Sequence, residues 1–191
     1  MKKIKCLSIY DLDGTLMDTP EKEEGKRIWK EKTGNEYPHK GWWGRPESLN
    51  TDVFNIEPHP RIFNKFKKDM NDINTYVIIL TARLEKLRSE VENILNIHNI
   101  KPDKLILKRG NETKGDVILK LAQNMSNLDK IEVYDDFAGG MEHKIKELTD
   151  IKEKLSDNIE YNIYYVDESG FNLMESTNKV MNLIYDELKK I

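Results

Sequence analysis

Five short apolar runs rich in β-branched and aromatic residues, at positions 4–10, 76–80, 105–107, 131–134 and 163–166, alternate along the chain with segments of helical spacing. Such alternation points to a parallel sheet with crossover helices packed against it. The helical stripes are explicit: Ile62, Phe63, Phe66 and Met70; Leu84, Leu87, Val91, Ile94 and Leu95; Val117, Ile118, Leu121, Ala122 and Met125; Met141, Ile145, Leu148 and Leu155; Val180, Leu183, Ile184 and Leu188. Side chains three and four apart share one helix face, so these stripes are core. The expected fold is α/β, a three-layer Rossmann-like parallel sheet of about five strands. With 191 residues and 38% hydrophobic content, one domain over residues 1–191 has core enough to need no disulfide or structural metal.

The stretch 34–60 lacks clear periodicity and is rich in Gly, Pro, Asn and Trp. A loop that long is usually functional or disordered, and Tyr37, Trp42, Trp43 and Phe54 argue for packing, beside the active site. No internal repeat or low-complexity tract is visible. A net charge of -3 with 34% charged residues describes a well-solvated surface without a bulk basic field, so nucleic-acid contact would be local. The apolar run near the N-terminus is too short for a signal-peptide core, and no run is long enough for a bilayer; the expectation is a cytoplasmic protein with no membrane contact. Cys6 is the sole cysteine, expected as a buried core thiol.

Ligands of open α/β sheets sit beyond the carboxyl ends of the strands, and polar residues gather there. Asp11-Leu12-Asp13-Gly14-Thr15-Leu16 follows the first strand, Thr81-Ala82-Arg83 the second and Asp135-Asp136 the fourth, while Lys114 opens the helix after the third. This order resembles motifs I to IV of the haloacid dehalogenase superfamily over essentially the whole chain. The resemblance implies that fold and a phosphohydrolase activity.

The chemistry stands on its own terms too. Phosphoryl transfer needs an in-line nucleophile, neutralisation of the equatorial oxygens and a proton donor for the leaving oxygen. Asp11 would attack phosphorus to form an aspartyl-phosphate, and Asp13 would protonate the leaving group and then activate water. Thr81 would donate to a phosphate oxygen, and Lys114 would hold Asp11 and the transferring group. Crowded carboxylates repel unless a hard cation sits among them, so Mg²⁺ is expected, with Asp11, the Asp13 carbonyl and Asp135 or Asp136 as ligands. Other readings stay open: Thr81 as a helix cap, and Lys108 or Arg109 in place of Lys114.

Motif spacing limits any cap. Between Thr81 and Lys114 there is room for one helix and one strand; residues 17–60 are expected to form a small cap or loop insertion near an open active site. By analogy, superfamily members with little cap act on large substrates such as polynucleotide ends or proteins. Gly41-Trp42-Trp43-Gly44-Arg45-Pro46-Glu47-Ser48-Leu49, with Leu80-Thr81-Ala82-Arg83 and Tyr134-Asp135-Asp136, is similar to the Swiss Army Knife RNA-repair-like group of these domains. That similarity implies processing of nucleic-acid end phosphates beside kinase or ligase modules, which separate partners would supply, since the chain carries neither motif.

Trp42 or Trp43 would stack a base while Arg45 and Arg83 grip phosphates, with Gly14, Thr15 and Ala82 also facing the substrate. The tryptophans have a second reading, as pins for their loop. Gly139-Gly140 would admit close backbone approach or start the next helix. The expected function is Mg²⁺-dependent phosphomonoester hydrolysis on nucleic-acid, notably RNA, end phosphates; the alternative is a small-molecule or mononucleotide phosphatase. Intact Asp11 and Asp13 speak against a catalytically silent binding domain.

Overall fold

Residues 3–138, 141–167 and 169–174 are described by a computed structural model. The stripe at Val180, Leu183, Ile184 and Leu188 and the pair Gly139-Gly140 lie outside the described residues. The elements run β1 (Cys6–Tyr10), α1 (Lys22–Thr33), α2 (Pro60–Asn71), β2 (Thr75–Leu84), α3 (Arg88–Ile97), β3 (Lys104–Lys108), α4 (Lys114–Gln123), β4 (Lys130–Asp135), α5 (Met141–Thr149), β5 (Glu160–Asp167) and β6 (Gly170–Leu173). The sheet order is β3-β2-β1-β4-β5-β6. Neighbours from β3 to β5 are parallel, and β6 returns antiparallel beside β5 as a short sixth strand.

Alternation along each strand divides the core into two layers. Leu7, Ile9, Ile78, Leu80, Ile131 and Val133 point to the face covered by Ile118 and Ala122 of α4 and Ile145 and Leu148 of α5. Their neighbours Tyr10, Val77, Ile79 and Tyr134 point to the other face, against Ile62 and Phe66 of α2 and Val91, Ile94 and Leu95 of α3. Period two in the strands and 3.6 in the helices thus produce the three layers. Cys6 is only half-buried because it opens β1. No helix among the described residues is long and apolar enough to cross a membrane.

The second face also holds a polar seam. Tyr10, Tyr134 and Tyr164 stack across three adjacent strands, with ring centroids 4.7 and 4.6 Å apart. Their phenols are partnered: Tyr10 donates to Asp69 at 2.6 Å, while Tyr134 and Tyr164 donate to Glu132. Lys65 bridges Asp69 and Glu132 at 2.6 and 3.0 Å, so the buried acids are compensated.

From β1 the chain proceeds to β2 and β3 on one side, then crosses to β4 and β5 on the other. The crevice where that direction reverses lies between the carboxyl ends of β1 and β4. Asp11 follows β1 there, and Asp135 ends β4.

Candidate active site

Past Tyr10 the backbone closes on itself: Met17 N–H donates to the Leu12 carbonyl and Gly14 N–H to that of Met17, both at 2.9 Å. Leu12, Leu16 and Met17 anchor the turn because their side chains are fully buried. Gly14 has φ of +67°, and a Cβ there would lie 2.3 Å from Asp136 Oδ2, so both the turn and the approach of Asp136 require glycine. Thr15 is wholly buried, and its hydroxyl accepts the Asp136 N–H at 2.9 Å. It ties the first acidic loop to the second and has no surface open to a substrate.

Asp11 N–H donates to the Tyr134 carbonyl, which fixes the end of β1 against β4. Its carboxylate lies 2.8 Å from Lys114 Nζ, and the same ammonium stands 2.6 Å from Asp135. The position of Lys114 follows from local sequence, because Thr113 and Asp116 form a capping box that starts α4 at this lysine. Lys108 and Arg109 do not take its place: Lys108 is exposed, and Arg109 pairs with Glu85. Asp135 Oδ1 accepts the Phe137 N–H at 2.7 Å, in a turn where Phe137 takes a φ of +55°.

Asp13 is held separately. Where β2 passes from Thr81 to Leu84, its partner β3 advances only from Leu107 to Lys108, so β2 bulges by two residues, Ala82 and Arg83. A bulge re-aims side chains, and this one turns Arg83 inward while Ala82 stays exposed. The Thr81 hydroxyl accepts the Arg83 N–H at 3.0 Å and steadies the bulge, so Thr81 lies in a strand and caps no helix. Arg83 is 2% exposed; Nε and Nη2 donate to Asp13 at 2.7–3.1 Å, and Nη1 donates to the Ser48 hydroxyl at 2.6 Å and the Trp43 carbonyl at 2.9 Å. Four of its five N–H donors are spent on the protein, which makes Arg83 a positioning group for Asp13 and leaves it no fork for a phosphate.

Electrostatics at the crevice are under tension. Burial, with Asp135 and Asp13 nearby, pushes Asp11 up to about 7 against the pull of Lys114. Burial and Asp135 push Asp136 up to about 6. Burial opposes charge on Lys114, but Asp11 and Asp135 outweigh it and hold the lysine protonated. Four acids thus crowd beside two buried cations, Lys114 and Arg83, an excess of acidic groups that a divalent ion would offset. Oxygens of Asp11, Asp135 and Asp136 lie within 4.8 Å of one another, a donor set of hard oxygens that fits Mg²⁺.

Asp11, Asp13 and Asp136 open into one cavity of about 280 Å³, bounded by Ala82, Trp43 and Lys144. The two adjacent tryptophans part company. Trp42 is 2% exposed, packs among Tyr37 and Phe54, donates its indole N–H to the Pro20 carbonyl and lies against Gly25, so it is a core residue and offers no face to a base. Trp43 is 40% exposed at the cavity mouth, its ring 4.8 Å from the Arg83 guanidinium. Arg45 is exposed and does not line this cavity. Two contributors escaped the sequence reading: Ser48, buried inside the aromatic segment, and Lys144, in the first turn of the helix that follows the acid pair. The position of Lys144 was the available signal, since a helix starting after a site strand presents its first turn to the site.

A parallel sheet with an Asp-x-Asp turn at its switch point, and a lysine bridging it to acids on the next strand, defines a haloacid-dehalogenase-type domain. Residues 26–187 match HAD domain family 1 in Swiss Army Knife RNA repair proteins, and the chain belongs to that family. Among solved structures, the chain is similar to one in the Pnkp1/Rnl/Hen1 RNA repair complex, with 17% identity and a TM-score of 0.48 over 85% of this chain and 43% of that one. It therefore spans less than half of that neighbour. It is also similar to the HAD domain of the effector protein Lem4 from Legionella pneumophila, with 13% identity and a TM-score of 0.40 over 99% of this chain and 96% of that one. No curated protein matches the chain.

Proposed function

We propose that this protein is a Mg²⁺-dependent phosphomonoester hydrolase working through an aspartyl-phosphate on Asp11, with phosphorylated nucleic-acid ends, RNA above all, as substrates in repair. One observation carries the chemistry: Asp11 and Asp13 open into one cavity but are held by different cations, Lys114 and Arg83. Two carboxylates with separate supports suit two separate roles.

Asp11 attacks phosphorus as the P–O bond to the leaving group breaks, and Asp13 delivers a proton to the departing oxygen. Asp13 then takes a proton from water, whose oxygen attacks phosphorus and releases Asp11 and inorganic phosphate. Lys114 offsets the charge of the phosphoryl oxygens and the Thr81 hydroxyl donates to one of them, while Arg83 keeps Asp13 aimed. Asp11, the Asp13 carbonyl and Asp135 or Asp136 would hold Mg²⁺, which supplies further charge neutralisation when bound.

The family's description supports RNA repair as the setting. Residues 17–60 act as the minimal cap, contributing Trp43 and Ser48, in a single domain that works in the cytoplasm beside separate kinase or ligase partners. The test is phosphate release with Mg²⁺ from 3′- and 5′-phosphorylated oligonucleotides, mononucleotides and an aryl phosphate, with Asp11→Asn and EDTA controls. Asp11- and Mg²⁺-dependent release chiefly from oligonucleotide ends is the expected result. Preference for mononucleotides would make it a metabolite phosphatase, and no Asp11-dependent release from any of them would overturn the mechanism.

A further inference from the structure

Beside the cavity of Asp11 and Asp13 runs a second groove of about 280 Å³, between the ends of β2 and β3 and the first turns of α4 and α5. The two spaces share Ala82 and Lys144, so the groove continues the site, with a methyl side chain and the Lys144 side chain, which donates to the Ala138 carbonyl, at their junction. Its polar lining is lopsided in free charge. Glu112 is paired with Lys120 and Asp135 with Lys114, which leaves Glu147, accepting the Gly115 N–H at 2.8 Å, as the one lining acid without an ion pair among the described residues. Against that one acid stand Lys108 and Lys144, neither in an ion pair among the described residues, and the exposed imidazole of His143. Arg109, its side chain 72% exposed, gives one nitrogen to Glu85 and keeps the rest of its fork for another anion.

We propose that this groove carries the phosphodiester backbone of a single-stranded polynucleotide whose terminal phosphate sits at Asp11. The assignment rests on the end-phosphatase reading above and deepens it by giving the path of the strand. A groove that leads away from a phosphomonoester site and carries more free cations than free acids fits the anions covalently attached to that phosphate. A mononucleotide has no further phosphate to place there. The chain's net charge of -3 then poses no obstacle, because cations that line a groove act locally.

The test is binding of fluorescently labelled, end-phosphorylated single-stranded RNA by the Asp11→Asn protein, which separates binding from turnover. Affinity should rise with length beyond one nucleotide. Combining Lys108→Ala with Arg109→Ala should weaken RNA binding and lessen the slope of log Kd against log salt by about 1.4, roughly 0.7 for each phosphate that the variant no longer neutralises. Mononucleotide binding and thermal melting should be unchanged. Affinity independent of length, or a double variant that binds RNA as its parent does, would overturn the groove. So would a double variant that loses phosphopeptide binding while keeping RNA binding. Aryl-phosphate turnover by the protein with Asp11 intact reports on the hydrolase reading alone, so its absence beside length-dependent, salt-sensitive RNA binding would sink that reading and leave the groove.

Discussion

Asp11 and Asp13 are two residues apart, and chemistry distinguishes them through their partners. Lys114 ties Asp11 into a buried triad with Asp135, whereas Arg83 grips Asp13 with both Nε and Nη2. A general acid matters in proportion to how badly the leaving oxygen needs a proton. Asp13→Asn should therefore lower kcat on a nucleotide phosphate by about 10²–10⁴-fold, yet cost much less on an aryl phosphate whose phenolate leaves unaided. Parallel kinetics on the two substrates check this, and an equal loss on both would remove Asp13 from the acid role. The four acids and Lys114 were legible in the sequence because strand ends and helix starts are local signals. The duty of Arg83 was not, because its partners Asp13, Trp43 and Ser48 come from two distant loops, and its inward aim depends on a bulge that alternation does not encode.

Among the elements, the aromatic segment before α2 shows where periodicity stops informing. Adjacent tryptophans in a strand or helix can be assigned to faces by phase, but a loop has no phase, so Trp42 and Trp43 carried equal standing until their packing was seen. Their substitutions should separate. Trp42→Ala empties a site among Tyr37, Phe54 and Gly25 and should destabilise the fold by about 3–5 kcal/mol. Trp43→Ala should cost only about 0.5–1 kcal/mol, the worth of its contact with the Arg83 guanidinium, and raise KM for nucleotide substrates. Denaturant melts and steady-state kinetics on both variants decide the matter. Strands β1 to β5 were legible from their apolar runs; β6 was missed because four residues, only one of them buried, leave little alternation to detect.

Across the whole molecule, the sheet's reversal between β1 and β4 brings together charges that the fold must tolerate. In the metal-free protein Asp11 and Asp136 titrate near 7 and 6, above the ordinary carboxylate range, so the native state binds protons more tightly than the unfolded chain. The resulting stabilisation is full below the ordinary carboxylate pKa and is lost as pH rises through those values. Melts in EDTA should show Tm falling from about pH 5 to about pH 8. Saturating Mg²⁺ should raise Tm most at the upper end, adding about 2.7 kcal/mol at a concentration a hundredfold above its Kd. A metal-free Tm that is flat across this window would contradict the account.

Arg83 also joins two parts of the molecule, the Asp13 turn and the Trp43 segment, that border one cavity. One side of its guanidinium holds Asp13, the proton donor of the proposed mechanism, and the other clasps the Trp43 carbonyl and the Ser48 hydroxyl, with the indole ring beside it. Linkage between such sites is reciprocal: a ligand that draws Trp43 into a new position perturbs Asp13, and whatever settles Asp13 tightens the hold on that ligand by the same factor. On the proposed mechanism, recognition of the substrate's body and readiness for proton transfer are thus coupled through one guanidinium.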